Sequence, residues 1–171
     1  MTRMIKTKYY GKYRGTVVNN VDPLNEGRLN VQVPDVLAVT PSTWAMPCFQ
    51  SAGKQMGSWA LPQVGSGVWV EFEQGDPDFP IWTGCWFGSA AEVPAVALAA
   101  PPAVPNIVFQ TQNQNSIAIS NMPAMGLLLK SATGALIQIS DVGITLSNGK
   151  GAIITLARPS VTINAGALVV T

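Results

Sequence analysis

The sequence predicts an all-β protein in two unlike parts: a small antiparallel barrel, then a slender repeat of strands that needs other chains to enclose a core. Three observations carry this. Residues 9–90 break into short alternating runs with Gly and Pro turns about every ten residues and no 3.6-residue periodicity. Further on, a glycine-led motif returns twice, as GALIQ at Gly134, GAIIT at Gly151 and GALVV at Gly166, at spacings of 17 and 15. The composition also splits. Residues 1–92 hold fifteen of the nineteen charged side chains, and all five Trp precede residue 90. Residues 93–171 carry only Lys130, Asp141, Lys150 and Arg158, with Phe109 the one aromatic. At 171 residues the chain has room for one ordinary domain and a further element, not for two full-sized domains.

Residues 1–8 read as a basic N-terminal arm, and residues 9–90 as the barrel. Runs 15–21 (GTVVNNV) and 28–33 (RLNVQV) flank DPLNEG, whose Pro23 and Gly27 suit a hairpin loop. Residues 42–50 (STWAMPCFQ) read as a third strand and residues 58–62 as a short fourth, with the glycine-containing loop SAGKQMG between them. Residues 67–73 (GVWVEFE) alternate, with Val68, Val70 and Phe72 on one face and Trp69, Glu71 and Glu73 on the other. After the turn QGDPDFP, residues 81–87 (IWTGCWF) form the last barrel strand. Residues 91–106 (AEVPAVALAAPPAVPN) read as an Ala/Pro-rich, extended linker, because proline fixes φ and withholds a helix donor. Residues 107–171 carry the repeat. Each unit is one strand and one turn, which indicates a β-solenoid or an interlaced β-prism built from three chains about one axis. By alternation the axis-facing side chains are Ile137, Ile139, Ile144, Leu146, Ile154, Leu156, Val161 and Ile163, with Gln138, Thr145, Thr155 and Thr162 outside. A second small sandwich folded within one chain is disfavoured, since the glycine-led repeat from Gly134 onward holds no aromatic to fill it.

The composition also excludes functions. The absence of His removes the commonest general base and metal ligand, and two cysteines outside any C-x-x-C pair make no zinc site. Cys48 and Cys85 each sit in an apolar run, which favours two buried thiols over one disulfide. No cofactor or metal is expected. The cluster Glu71, Glu73, Asp76 and Asp78 is the one carboxylate group with a catalytic or cation-binding pattern; turn chemistry at Asp76 and Asp78 and a wet strand face at the two Glu explain it more simply. No enzyme is expected. Arg3, Lys6, Lys8, Lys12 and Arg14, interleaved with Tyr9, Tyr10 and Tyr13, fit either single-strand nucleic-acid binding or an arm docking on a protein. A formal net charge of +1 and the lack of a basic stripe on the barrel strands argue against nucleic acid. The N-terminus has no apolar run of a secretory signal, so synthesis in the cytoplasm is expected.

The segment GSGVWVEFEQGDPDFPIWTGCWFG, residues 65–88, resembles the signature of the phage baseplate assembly protein V and VgrG-type spike proteins of contractile injection systems. GKYRGTVVNNVDPLNEGRLNVQVPDV, residues 11–36, resembles the opening hairpin of the same domain. The resemblance implies an N-terminal OB-fold barrel followed by a C-terminal intertwined trimeric β-helix or β-prism needle. It further implies a homotrimeric central spike of a bacterial phage tail or injection particle, released to the exterior with that particle and piercing a target-cell envelope. A separate tail-hub protein would meet the barrel, because the barrel begins near Met1. A PAAR-repeat tip protein would seat on Gly166, Ala167, Leu168, Val169, Val170 and Thr171, an apolar end that otherwise invites aggregation. The sequence departs from the family's lysozyme-bearing and histidine-metal variants, having no His and, from Val93 onward, only Asp141 as an acid. The opposing reading is a free-standing OB-fold protein that binds oligonucleotide or glycan.

Overall fold

The computed structural model describes residues 7–164 and 167–170, at residues 169 and 170 the backbone alone. The chain divides into two compact units, Met1–Ala90 and Ala91–Thr171. In the first, alternating apolar residues form β1 (Tyr13–Asn19), β2 (Asn30–Gln32), β3 (Met46–Pro47), the small hairpin β4 (Ala52–Gly53) and β5 (Met56–Gly57), β6 (Gly67–Phe72) and β7 (Pro80–Trp86). The main sheet runs β2-β1-β6-β7-β3. Bridges Leu29 to Ala45 and Gln32 to Pro41 bring the segment before β3 back onto β2, so the sheet curls towards closure. Inside lie Val17, Leu29, Val31, Val33, Ala45, Val68, Val70, Phe72 and Trp82. Val68, Val70 and Phe72 point inward as their alternation predicts, and Trp82 Nε1 donates to the Gly27 carbonyl at 3.1 Å.

Three expectations for this unit are corrected. The strand read over residues 42–50 shrinks to Met46–Pro47, and it runs parallel to β7 in an otherwise antiparallel sheet. Proline lacks the amide a ladder needs; Pro41 immediately precedes the run and Pro47 lies within it. Residues 58–62, read as a short strand, form none; the Ser58 amide instead donates to the Ser51 carbonyl and closes the β4–β5 hairpin. Cys48 and Cys85 are free and exposed, not buried. Cys48 lies just beyond the two-residue strand β3, and the interior positions are filled by Val, Leu, Phe and Trp82. Although Cys85 is exposed, partial desolvation pushes its thiol above the ordinary value, which disfavours the reactive thiolate.

The β1–β2 loop is organised by one carboxylate. Asp22 accepts backbone amides of Leu24 (3.0 Å), Glu26 (2.8 Å) and Arg28 (3.2 Å), while Arg28 Nη2 donates to it at 2.6 Å. These donors satisfy amides that a wide loop would leave to water, and Arg28 also stacks over Trp44 at 5.5 Å.

The second unit contains one turn of helix, α1 (Ala95–Leu98), and then a strictly sequential antiparallel meander. Its strands are β8 (Ile107–Gln110), β9 (Ser116–Ile119), β10 (Leu127–Lys130), β11 (Leu136–Ser140), β12 (Gly143–Ser147), β13 (Ile153–Ala157), β14 (Ser160–Ile163) and β15 (Leu168–Val170). Each strand is three to five residues long, so every turn recurs quickly and the sheet is narrow and tall.

The Arg28 guanidinium, opposed by burial and helped by the three amides, holds the Asp22 carboxyl well below its usual range. A depressed carboxylate adds stability above its unfolded pKa of about 4 and loses it as the pH falls towards the folded value. Thermal unfolding of the barrel, followed by tryptophan fluorescence, is therefore expected to fall steeply below about pH 4. Asp22→Asn should lower stability at pH 7 and flatten that acid limb; an unchanged limb would reject the role assigned to Asp22.

Candidate functional site

The pairing register of the second unit defines a surface that the sequence shows only in part. Ile137 pairs with Leu129 and Leu146, and Ile139 with Leu127 and Ile144. The same rows continue through Ile154 with Leu146 and Ile163, and Leu156 with Ile144 and Val161, ending at Leu168 opposite Ile163. In the other direction they pass through Ile119 and Ile117 to Ile107 and Phe109. Since cross-strand partners share a face, each strand from β8 to β14 sets two apolar side chains on one side of the sheet. The eight residues expected to face an axis all lie on it.

Among the described residues of this unit, much of the face is open to solvent. Ile137 is 44% exposed, Ile139 45%, Phe109 70% and Leu168 54%. The opposite face is covered at one end: Ala118 there is 1% exposed. The loop between β9 and β10 folds over it, and Gln138 Nε2 donates to the carbonyls of Ala124 (2.7 Å) and Met125 (3.2 Å). Farther along, Thr145, Thr155 and Thr162 pair in one row, giving that side a neutral hydroxyl surface. The missed part of the apolar face, Ile107, Phe109, Ile117, Ile119, Leu127 and Leu129, precedes the glycine motif; its signal was the alternation in IVFQ and SIAI, blurred by the unbroken Leu127, Leu128 and Leu129.

Tight turns hold the strands in step. Gly143 (φ 148°) packs its Cα so closely on β13 that an added Cβ would overlap the Leu156 carbonyl oxygen, and Gly126 (φ 55°) stands likewise against Ile139. The third copy of the motif is displaced. Ile137 and Ile154, fourth in their copies, lie on the apolar face, whereas in GALVV the third residue, Leu168, takes that place. Of the residues expected to meet a tip protein, Leu168 and the backbone of Val169 and Val170 form β15, and the Ala167 amide donates to Asn164. Gly166 and Thr171 lie outside the described residues.

On the barrel several charged groups are engaged with one another. Lys12 Nζ donates to Glu71 Oε1 at 2.7 Å and to Thr83 Oγ1 at 3.0 Å. Thr83 is the extra residue of a β-bulge opposite Trp69 and Val70. Lys8 lies 3.9 Å from Asp76, whose Oδ1 accepts the Asp78 amide, as turn chemistry requires. Glu73 does not share a strand face with Glu71: β6 ends at Phe72 and Glu73 opens a 3-10 turn. Arg14 stacks over Trp69 at 5.7 Å and Trp86 at 5.1 Å. Arg3 and Lys6 of the expected basic group lie outside the described residues. Among the described residues no three His, Cys, Asp or Glu converge on a metal-sized site, and no helix is long and apolar enough to cross a membrane.

Comparisons with known proteins match both units. Residues 13–87 match the type VI secretion system/phage-baseplate injector OB domain, and residues 106–169 match the phage baseplate V C-terminal trimerisation domain. The chain belongs to the baseplate V and VgrG family. Among its relatives, the type VI secretion system spike protein VgrG5 of Pseudomonas aeruginosa is 43% identical over 53 residues, 31% of this chain and 7% of that protein. The spike protein VgrG3 of Vibrio cholerae is 51% identical over 43 residues, 25% of this chain and 4% of its own length. The chain thus matches less than a tenth of either relative. Membership accounts for the all-β architecture of an OB-type unit followed by a multi-stranded sheet.

Because Gly143 is held at positive φ against backbone, Gly143→Ala is expected to cost roughly 1–3 kcal/mol. Differential scanning calorimetry should show the loss in the transition of the second unit alone. A variant as stable as the wild type would reject the close approach.

Proposed function

We propose that the chain is the structural, non-enzymatic central spike of a contractile tail or injection-system baseplate, in which three copies bury their apolar sheet faces against one another about a common axis. The observation that carries this reading is the uncovered face running over successive strands, in the segment that matches a trimerisation domain. An apolar surface of that extent is unfavourable in water by about 25 cal/mol per Å², and a second layer drawn from identical chains removes it. Ile137, Ile139, Ile144, Leu146, Ile154, Leu156, Val161 and Ile163 then form the trimer core. Strands stacked along the axis spread an axial load over many backbone hydrogen bonds, which suits a body driven through a target envelope.

In this proposal the barrel meets a separate hub protein, consistent with its likeness to an injector OB domain. The end of the sheet at residues 166–171 seats a PAAR-type tip protein, which would cover the exposed ladder of β15. The chain, made in the bacterial cytoplasm, leaves as part of the particle. The free-standing OB-binding reading gains little support: Arg14 already occupies the Trp69 and Trp86 rings on which a base or sugar would stack, and Lys8 and Lys12 face carboxylates.

Light scattering on the purified chain should return three times the chain mass of 18.0 kDa. Ile154→Asp, at the centre of the apolar face, is expected to yield monomers or aggregates while the tryptophan spectrum of the barrel stays native; Thr155→Asp, on the other side of the same strand, should remain trimeric. A monomeric wild type refutes the spike. For the tip, deletion of residues 166–171 should preserve the trimer and abolish co-purification of a PAAR-type partner, and retained binding would remove that assignment.

A further inference from the structure

On the outer side of the barrel sheet lies a cavity of about 320 Å³, walled by Trp44, Met46, Cys48, Phe79 and Ile81 together with the exposed carboxylates Glu73 and Asp78. Its side of the sheet follows from strand pairing: Met46 pairs with Ile81, and Ile81 with Glu71, whose carboxylate holds Lys12 on the outer surface. Phe79 is 60% exposed and Met46 48%, an apolar patch beside two acids. Such a patch fits an extended segment that is apolar at one position and cationic two residues away.

The chain itself carries that segment. Residues 1–6 (MTRMIK) lie outside the described residues, and the chain that follows them is anchored beside the cavity. β1 pairs antiparallel with β6, and the same course extends ahead of the strand: the Tyr9 amide donates to the Gly75 carbonyl at 2.8 Å, and Lys8 Nζ stands 3.9 Å from Asp76. Each step back along the arm is thus a step forward along the β6–β7 turn, which brings Lys6 level with Asp78. The turn doubles back on itself, with the Glu73 amide donating to the Phe79 carbonyl at 2.9 Å, so Glu73 and Asp78 are held near one another. From Tyr9 back to Met4 an extended chain spans up to about 17 Å, enough to cross the turn.

Alternation decides which side chain enters. Tyr9 and Tyr13 pack on the buried Phe72, whereas Lys8 and Lys12 meet Asp76 and Glu71 on the outer side. In extended chain Lys6 and Met4 share the side of Lys8, which is the side of the cavity. We propose that the N-terminal arm straps across the outer face of its own barrel, with the Met4 side chain in the cavity against Met46, Phe79 and Ile81, and Lys6 facing the carboxylates of Glu73 and Asp78. A thioether on an unbranched stem adapts to an irregular apolar wall, and the cation two residues on meets the acids that flank it. The strap covers the apolar patch and ties the β6–β7 turn to the arm. It is a contact within one barrel and stands apart from assembly of the second unit.

Cys48, exposed in the cavity wall, serves as the reporter. In the full chain carrying Cys85→Ser, Met4→Cys is expected to form a disulfide with Cys48 of the same chain under oxidised glutathione. It should do so at least about tenfold faster than Ile5→Cys, whose thiol points away. Non-reducing gels and peptide mapping read the bond, and tryptophan fluorescence checks that the barrel stays folded. Lys6→Glu is expected to slow the Met4→Cys reaction about threefold and to leave that of Ile5→Cys unchanged. Equal rates for Met4→Cys and Ile5→Cys, or a bond that joins two chains instead of closing within one, would overturn the strap. Equal slowing of both thiols by Lys6→Glu, or no slowing of either, would overturn the ion pairing.

Discussion

A sheet one layer thick with one wholly apolar face cannot be stable alone in water, and the rest of the second unit follows from that constraint. Short strands put two apolar side chains of one face on each rung, and turns with glycine at positive φ keep rungs close. On the other side, the row Gln138, Thr145, Thr155 and Thr162 supplies polarity without charge. Charges on the apolar face would have to be buried on any assembly through it, at a large desolvation cost. Confining most of them to turns avoids that cost.

The barrel answers a different demand. It closes its own core around Leu29, Val31, Val68, Val70 and Trp82, and it spends its charges in local pairs: Asp22 with Arg28, Glu71 with Lys12, Asp76 with Lys8. Its outer aromatics Trp69 and Trp86 are occupied by Arg14.

How far the sequence could be read differs by element for physical reasons. β6 was legible because Val68, Val70 and Phe72 alternate without interruption. The strand read over residues 42–50 was not, since apolar content alone does not reveal that Pro41 and Pro47 remove the amides of a longer ladder or that its short remnant pairs parallel. The cysteines were misread because an apolar neighbourhood in sequence is not a covered position in space. In the apolar face, the repeat announced Ile137 to Ile163, but β8 to β10 carry no glycine motif and joined the face only through cross-strand pairing.

By itself the sequence determined the all-β class, the division into a charged aromatic part and a nearly uncharged repeat, and the one shared face of eight apolar positions after residue 136, because alternation and composition are local properties of a strand. Only the tertiary structure decided which strands are neighbours. That step turned separate alternating runs into one continuous face from Ile107 to Leu168, moved the third motif by one residue so that Leu168 lies on it, and set Asp141 and Lys150 on opposite edges. Register and edge are relations between segments, and a chain of residues read in order does not contain them.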